Sequence, residues 1–111
     1  MHFCMTAQYT PKALNSILEN PKTDRHEAAR KLVEAAGGKL VSMYNTAANG
    51  PGVLLIIDVP DPNSASAMSG IAIASGAIHN VSLTRLWTQD EITQVRQKAA
   101  QLRGSYTPPG G

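Results

Sequence analysis

The sequence predicts an α+β protein in which four antiparallel strands form one sheet and helices cover one side of it. Three observations carry that prediction. Val53 to Ile57 is five consecutive apolar residues, mostly branched, bounded by Gly52 and by Asp58-Val59-Pro60, the pattern of a strand buried on both faces. Segments of alternating polarity lie before and after it, at 2–9, 39–46 and 78–87. Helix-start signals then fall between them, at Thr10-Pro11, Asp61-Pro62 and Thr88 with Glu91.

In the first strand, His2 to Tyr9, Phe3, Met5 and Ala7 share one face and His2, Cys4, Thr6 and Gln8 the other. Thr10 and Pro11 are an N-cap and a first helical residue. Ala13, Leu14, Ile17 and Leu18 supply the buried stripe of a short helix, which Asn20-Pro21 interrupts. Asp24 with Glu27 predicts a capping box for a second segment, in which Ala28, Ala29, Leu32, Val33 and Ala36 repeat the stripe. Gly37-Gly38 ends it with a left-handed cap, so the two segments form one broken helical arm.

Lys39 to Thr46 is the second strand, with Leu40, Ser42 and Tyr44 alternating against Val41 and Met43. The loop Ala47 to Gly52 makes a hairpin into the central strand. A helix of unusually small residues follows from Asp61-Pro62-Asn63-Ser64, carrying Ala65, Met68, Ile71 and Ala72 and stopping at Gly76. In the fourth strand, Ile78 to Trp87, Val81, Leu83, Arg85 and Trp87 alternate with Ser82, Thr84 and Leu86. Thr88 and Glu91 then open a helix with a narrow stripe of Ile92, Val95, Ala99 and Leu102, ended by Gly104. Residues 1–104 read as a single domain, and 105–111 as a flexible or partner-clasping tail.

Strand, helix, strand, strand, helix, strand is the ferredoxin-like order βαββαβ, here with a broken first helix and an added C-terminal helix. Helices cover one face of such a sheet, yet Val53 to Ile57 is apolar at both parities. A second copy, sheet against sheet, is the simplest cover for the other face. Each strand side chain so buried contributes roughly 1.5 to 3 kcal/mol, less ordering and docking costs. A homodimer or higher assembly is expected, with polar-lined space between the sheets.

Bulk properties narrow the function classes. The 111 residues carry a formal charge of +2 with no block of Lys or Arg, and five aromatic residues, so no nucleic-acid stripe or membrane-surface patch stands out. The single Cys4 excludes an internal disulfide and a zinc site built of several thiolates. The start Met-His-Phe-Cys-Met lacks a secretory pattern, and the expected setting is cytoplasmic.

Gly37-Gly38-Lys39-Leu40, Tyr44 with Thr46, Asp58-Val59-Pro60-Asp61, the Ser/Ala-rich helix, and Thr84-Arg85-Leu86-Trp87-Thr88 before Glu91 together resemble the GYD-domain family, over about residues 1–97. The resemblance implies a bacterial protein, ferredoxin-like in the manner of dimeric α/β barrels, and no established general activity. Where that family has its Gly-Tyr-Asp, this chain has Asn49-Gly50-Pro51-Gly52, with one residue added in the loop. No catalytic residue carries over from the motif.

Asp58, the carboxylate predicted within a strand, is a candidate general base whose pKa desolvation would raise, with Tyr44 on the adjacent strand as a second catalytic candidate. Tyr44, Asp58, Arg85 and Thr6 make up the expected ligand-binding set. The plainer alternative leaves Asp58 wetted at the strand's end. His2, Cys4 and His79 are metal candidates if they converge at one end of the sheet, against a plainer reading of a frayed terminus, an inert thiol and a loop histidine. Asn49-Gly50-Pro51-Gly52 lacks the lysine and hydroxyl of a phosphate loop and reads as hairpin chemistry. Arg96, Lys98 and Arg103 read as a solvated face, His26 as surface and Trp87 as core. The leading functional reading is a self-associating protein that binds, and in one version converts, a small organic molecule between its sheets, with no cofactor. The alternatives are a non-catalytic assembly module and a metal-binding protein using His2 and Cys4.

Overall fold

A computed structural model of the chain describes residues 1–47 and 50–110. Its elements are β1 (His2–Tyr9), α1 (Pro11–Glu19), α2 (His26–Ala35), β2 (Lys39–Thr46), β3 (Gly52–Asp58), α3 (Pro62–Ala74), β4 (Ile78–Leu86) and α4 (Gln89–Leu102), with a 3₁₀ turn at Arg103–Ser105. The strands form one antiparallel sheet in the order β2-β3-β1-β4, the ferredoxin-like arrangement. Among the described residues no helix is long and apolar enough to cross a membrane.

Alternation decides what is buried. Phe3, Met5 and Ala7 from β1 face the helices with Val53, Leu55 and Ile57 from β3, and Val33, Ala65 and Met68 close over them. Ile57 and Val33 are almost completely enclosed, each burial contributing about 1.5 to 3 kcal/mol. The other parity of β3, Leu54 and Ile56, stays half-exposed on the far face beside Cys4 and Thr6.

Local chemistry fixes the element ends. Thr10 and Asp61 cap α1 and α3 by accepting from the amides of Ala13 and Ser64, each with proline in the first turn. Thr88 and Glu91 complete a reciprocal capping box on α4. At the end of α2 the amide of Gly38 reaches the carbonyl of Val33 and that of Gly37 the carbonyl of Glu34, a Schellman closure with Gly37 at φ 83°. The expected capping box at Asp24 and Glu27 does not form. Asp24 instead accepts from the His26 amide at 2.8 Å, while Glu27 turns to Arg30, whose Nε donates to it at 2.9 Å.

Two bulges alter the expected register. The β2–β3 pairing shifts between Leu40 and Ser42, so Leu40 joins Met43 toward the helices and leaves Ser42 and Tyr44 on the open face. The β1–β4 pairing shifts between Thr6 and Gln8, where Asn80 adopts φ 51°, a conformation asparagine tolerates better than most residues. Three further expectations change. Leu18 is exposed, because α1 rests only lightly on the sheet. Trp87 is half-exposed, because β4 ends at Leu86 and leaves it beyond the covered surface. Gly104 lies within the 3₁₀ turn, so the chain coils on for one turn past α4.

α4 projects from the body. Its residues are exposed apart from half-covered Glu91 and Ile92, and Val95 and Leu102 of its apolar stripe lie open. The radius of gyration, 17.7 Å, exceeds the roughly 13 Å expected of a compact chain this long.

Gly52 begins the central strand where a Cβ would lie 2.0 Å from the carbonyl oxygen of Ala7. Gly52→Ala is expected to cost about 2 kcal/mol or more, since backbone must move to admit the methyl group. Gly70→Ala, placed in open space on α3, should stabilise by roughly 0.5 to 1 kcal/mol. Urea unfolding midpoints of the two variants check both signs.

Candidate functional site

The anticipated ligand set does not gather in one place. Thr6 and Tyr44 flank Leu54 in one cross-strand row of the open face. Asp58 lies four residues along β3, between Lys39 and His2. Arg85 pairs with Phe3 and so belongs to the helix-covered face. There its guanidinium donates to the carbonyls of His2 and Leu86 and to the carboxylate of Glu91, 5.6 Å from the Phe3 ring centroid and 5.8 Å from that of Trp87. Arg85 therefore ties the sheet edge to the first turn of α4.

Asp58 accepts from the N-terminal ammonium at 3.0 Å, with His2 Nε2 3.9 Å from its other oxygen. The ammonium holds its carboxyl below the ordinary range, the reverse of the upward shift that desolvation would give. His2 and Cys4 lie near the start of β1, but His79 pairs with Gln8 at its end, about 20 Å from His2 and about 13 Å from Cys4 at ordinary strand rise. Antiparallel pairing sets the start of β4 beside the end of β1.

The cavity lies on the other side of the sheet, between α2, α3 and the strands. It is a cleft of about 250 Å³ with Met5, Val53 and Leu55 as floor. Leu32 and Val33 form one wall, and Met68 and Ala72 the other. Polar groups enter at one end, where Tyr9, the last residue of β1, meets Arg25 at the N-terminus of α2. The same two residues border a polar mouth that adds Thr23, Asp24, His26 and Asn45.

Backbone contacts set Tyr9 in place. Its amide donates to the carbonyl of Pro51 at 3.0 Å, and the next residue, Thr10, bonds Ala77 and Gly76 through its amide and hydroxyl. Burial pushes the Tyr9 phenol up from its ordinary pKa, against the pull of the Arg25 charge, so it stays protonated and able to donate at neutral pH. Arg25 makes no capping bond, and among the described residues no carboxylate pairs with it. Asp24, its neighbour, is engaged by the His26 amide.

Sequence reasoning passed over this pair. Parity held the signal for Tyr9, which continues the inward series Phe3, Met5, Ala7. Arg25 falls at the helix break and carries no periodic mark.

The family model of the GYD domain matches residues 3–95. The chain belongs to the GYD-domain family. A comparison with curated protein sequences finds no match. Among solved structures, this GYD-domain protein is similar to 5-chloro-2-hydroxyhydroquinone dehydrochlorinase (TftG) from Burkholderia phenoliruptrix AC1100, determined in complex with 2,5-dihydroxybenzoquinone. The TM-score is 0.56 at 15% identity, over 81% of this chain and 97% of that one, a likeness of fold. Of the Gly-Tyr-Asp position in this GYD domain, Gly50, Pro51 and Gly52 are described, and Asn49 lies outside the described residues.

Hydrogen bonds from the Thr88 backbone and then from Arg85 lower the Glu91 pKa from 4.5 to about 2. A carboxyl whose folded pKa is depressed contributes stability in full above its unfolded value and loses it as pH falls through the folded one. The melting temperature should therefore fall between about pH 4.5 and 2. Glu91→Gln should flatten that part of the decline, which thermal melts across the interval will show.

Proposed function

We propose that this GYD-domain protein is a homo-oligomeric binding protein for a small, mainly apolar organic molecule held in the cleft between α2, α3 and the sheet. The observation that carries the reading is the cleft itself, apolar along its floor and walls and polar at one end, as small-molecule sites commonly are. TftG, of the same fold, is recorded with a single-ring quinone, a ligand of a size that such a cleft accepts. This moves the binding space expected between two sheets to the helix-covered side.

Self-association is the second part of the reading. Leu54 and Ile56 are half-exposed at the centre of the open face, and α4 extends its apolar stripe into solvent. An isolated helix of fourteen residues is marginal in water, so a packing surface on another copy accounts for both features. Residues 1–104 then act as one folded unit, with 105–111 as a tail reaching a neighbour. A bacterial cytoplasm completes the reading, and an unpaired Cys4 suits its reducing conditions.

Native mass spectrometry should give a multiple of 11.8 kDa. A single-chain mass at micromolar concentration would remove the oligomeric half of the proposal. Ala72→Phe, which fills the cleft from α3, should abolish the thermal stabilisation given by single-ring aromatic compounds while the spectrum of assemblies stays the same.

A further inference from the structure

We infer that the cleft selects a planar, ring-sized carboxylate, its apolar body between α2 and α3 and its anionic head at the Arg25–Tyr9 corner. The inference rests on the cleft being the binding site, and adds the charge and shape of what enters it.

Apolar selection comes from the walls. Leu32, Val33, Met68 and Ala72 offer no hydrogen-bond partner, so a ligand body bearing polar groups there would lose its water without replacement. The space between one helix pair and a sheet also favours a flat body, and about 250 Å³ suits one ring and its substituents.

Charge selection comes from the corner. Arg25 borders the cleft and both spaces that continue from it, in each case beside Tyr9. Its guanidinium makes neither a cap nor an ion pair among the described residues, whereas Arg30 and Arg85 are both matched to carboxylates. A guanidinium presents two parallel N–H groups that fit a carboxylate edge to edge. Tyr9 supplies a third donor on the cleft side. The acidic group at the mouth, Asp24, has one oxygen turned to the His26 amide, and Arg25 is the cation that stands beside Tyr9.

Titration calorimetry with benzoate, benzamide and acetate tests this. Benzoate should bind clearly more tightly than benzamide, its neutral counterpart, and acetate, the head without the ring, should not register. Arg25→Gln should weaken benzoate about tenfold or more, the change expected for one lost charge-assisted hydrogen bond, and move benzamide less than about twofold. Arg25→Lys, which keeps the charge but not the fork, should fall between. Arg25 is exposed and makes no side-chain cap or ion pair among the described residues, so these variants should melt as the parent does. Tyr9→Phe provides an independent arm and should weaken benzoate more than benzamide. Equal affinity for benzoate and benzamide, or benzoate binding untouched by Arg25→Gln, overturns the carboxylate preference while leaving the cleft in place. Benzoate binding that survives Ala72→Phe overturns the cleft as its site.

Discussion

β3 is the strand on which the structure depends, because its apolar residues point both ways and only one way is covered. Val53, Leu55 and Ile57 are sealed by α2 and α3. Leu54 and Ile56, one residue out of step, remain half-wetted. A sheet of four strands with helices on one side has no further element to place there, unless α4 folds back, and α4 instead runs outward. The capping box and the Arg85–Glu91 pair set that course, since they bind the first turn of α4 to the end of β4 and to the His2 carbonyl.

Much of this architecture is legible in the residues. Caps and stops are short-range chemistry, so Thr10-Pro11, Asp61-Pro62, Thr88 with Glu91 and Gly37-Gly38 mark their helix ends directly. Parity gives the inward faces of β1 and β3. The bulges at Leu40–Ser42 and Thr6–Gln8 are less readable, because an extra residue on one strand has meaning only against its partner. Asp24 shows the limit of motif spelling. The Asp-x-x-Glu pattern was present, but Arg30 offered Glu27 a stronger partner and the box did not close.

The candidate site was harder to read than the fold, and for a related reason. Placing Asp58, Tyr44, Thr6 and Arg85 together requires the register of all four strands at once, and an error of one step transfers a side chain to the opposite face. Arg85 kept the parity read for it, with Val81 and Leu83, and for that reason lies with Phe3 on the helix-covered face, away from Thr6 and Tyr44. The metal candidates fail to gather because antiparallel strands bring start to end. Tyr9 and Arg25 come from elements far apart in role, one closing a strand and the other opening a helix, so no local pattern joins them.

The hydrogen bond from the Tyr9 amide to the Pro51 carbonyl links the cleft to the hairpin in which the family keeps its signature tripeptide. Of the described residues in that turn, Gly50, Pro51 and Gly52, none borders the cleft, yet the Pro51 carbonyl is the strut behind the phenol. A change at Pro51 that moves this carbonyl would therefore reach the polar end of the cleft through the Tyr9 backbone alone, with every wall residue left as it is.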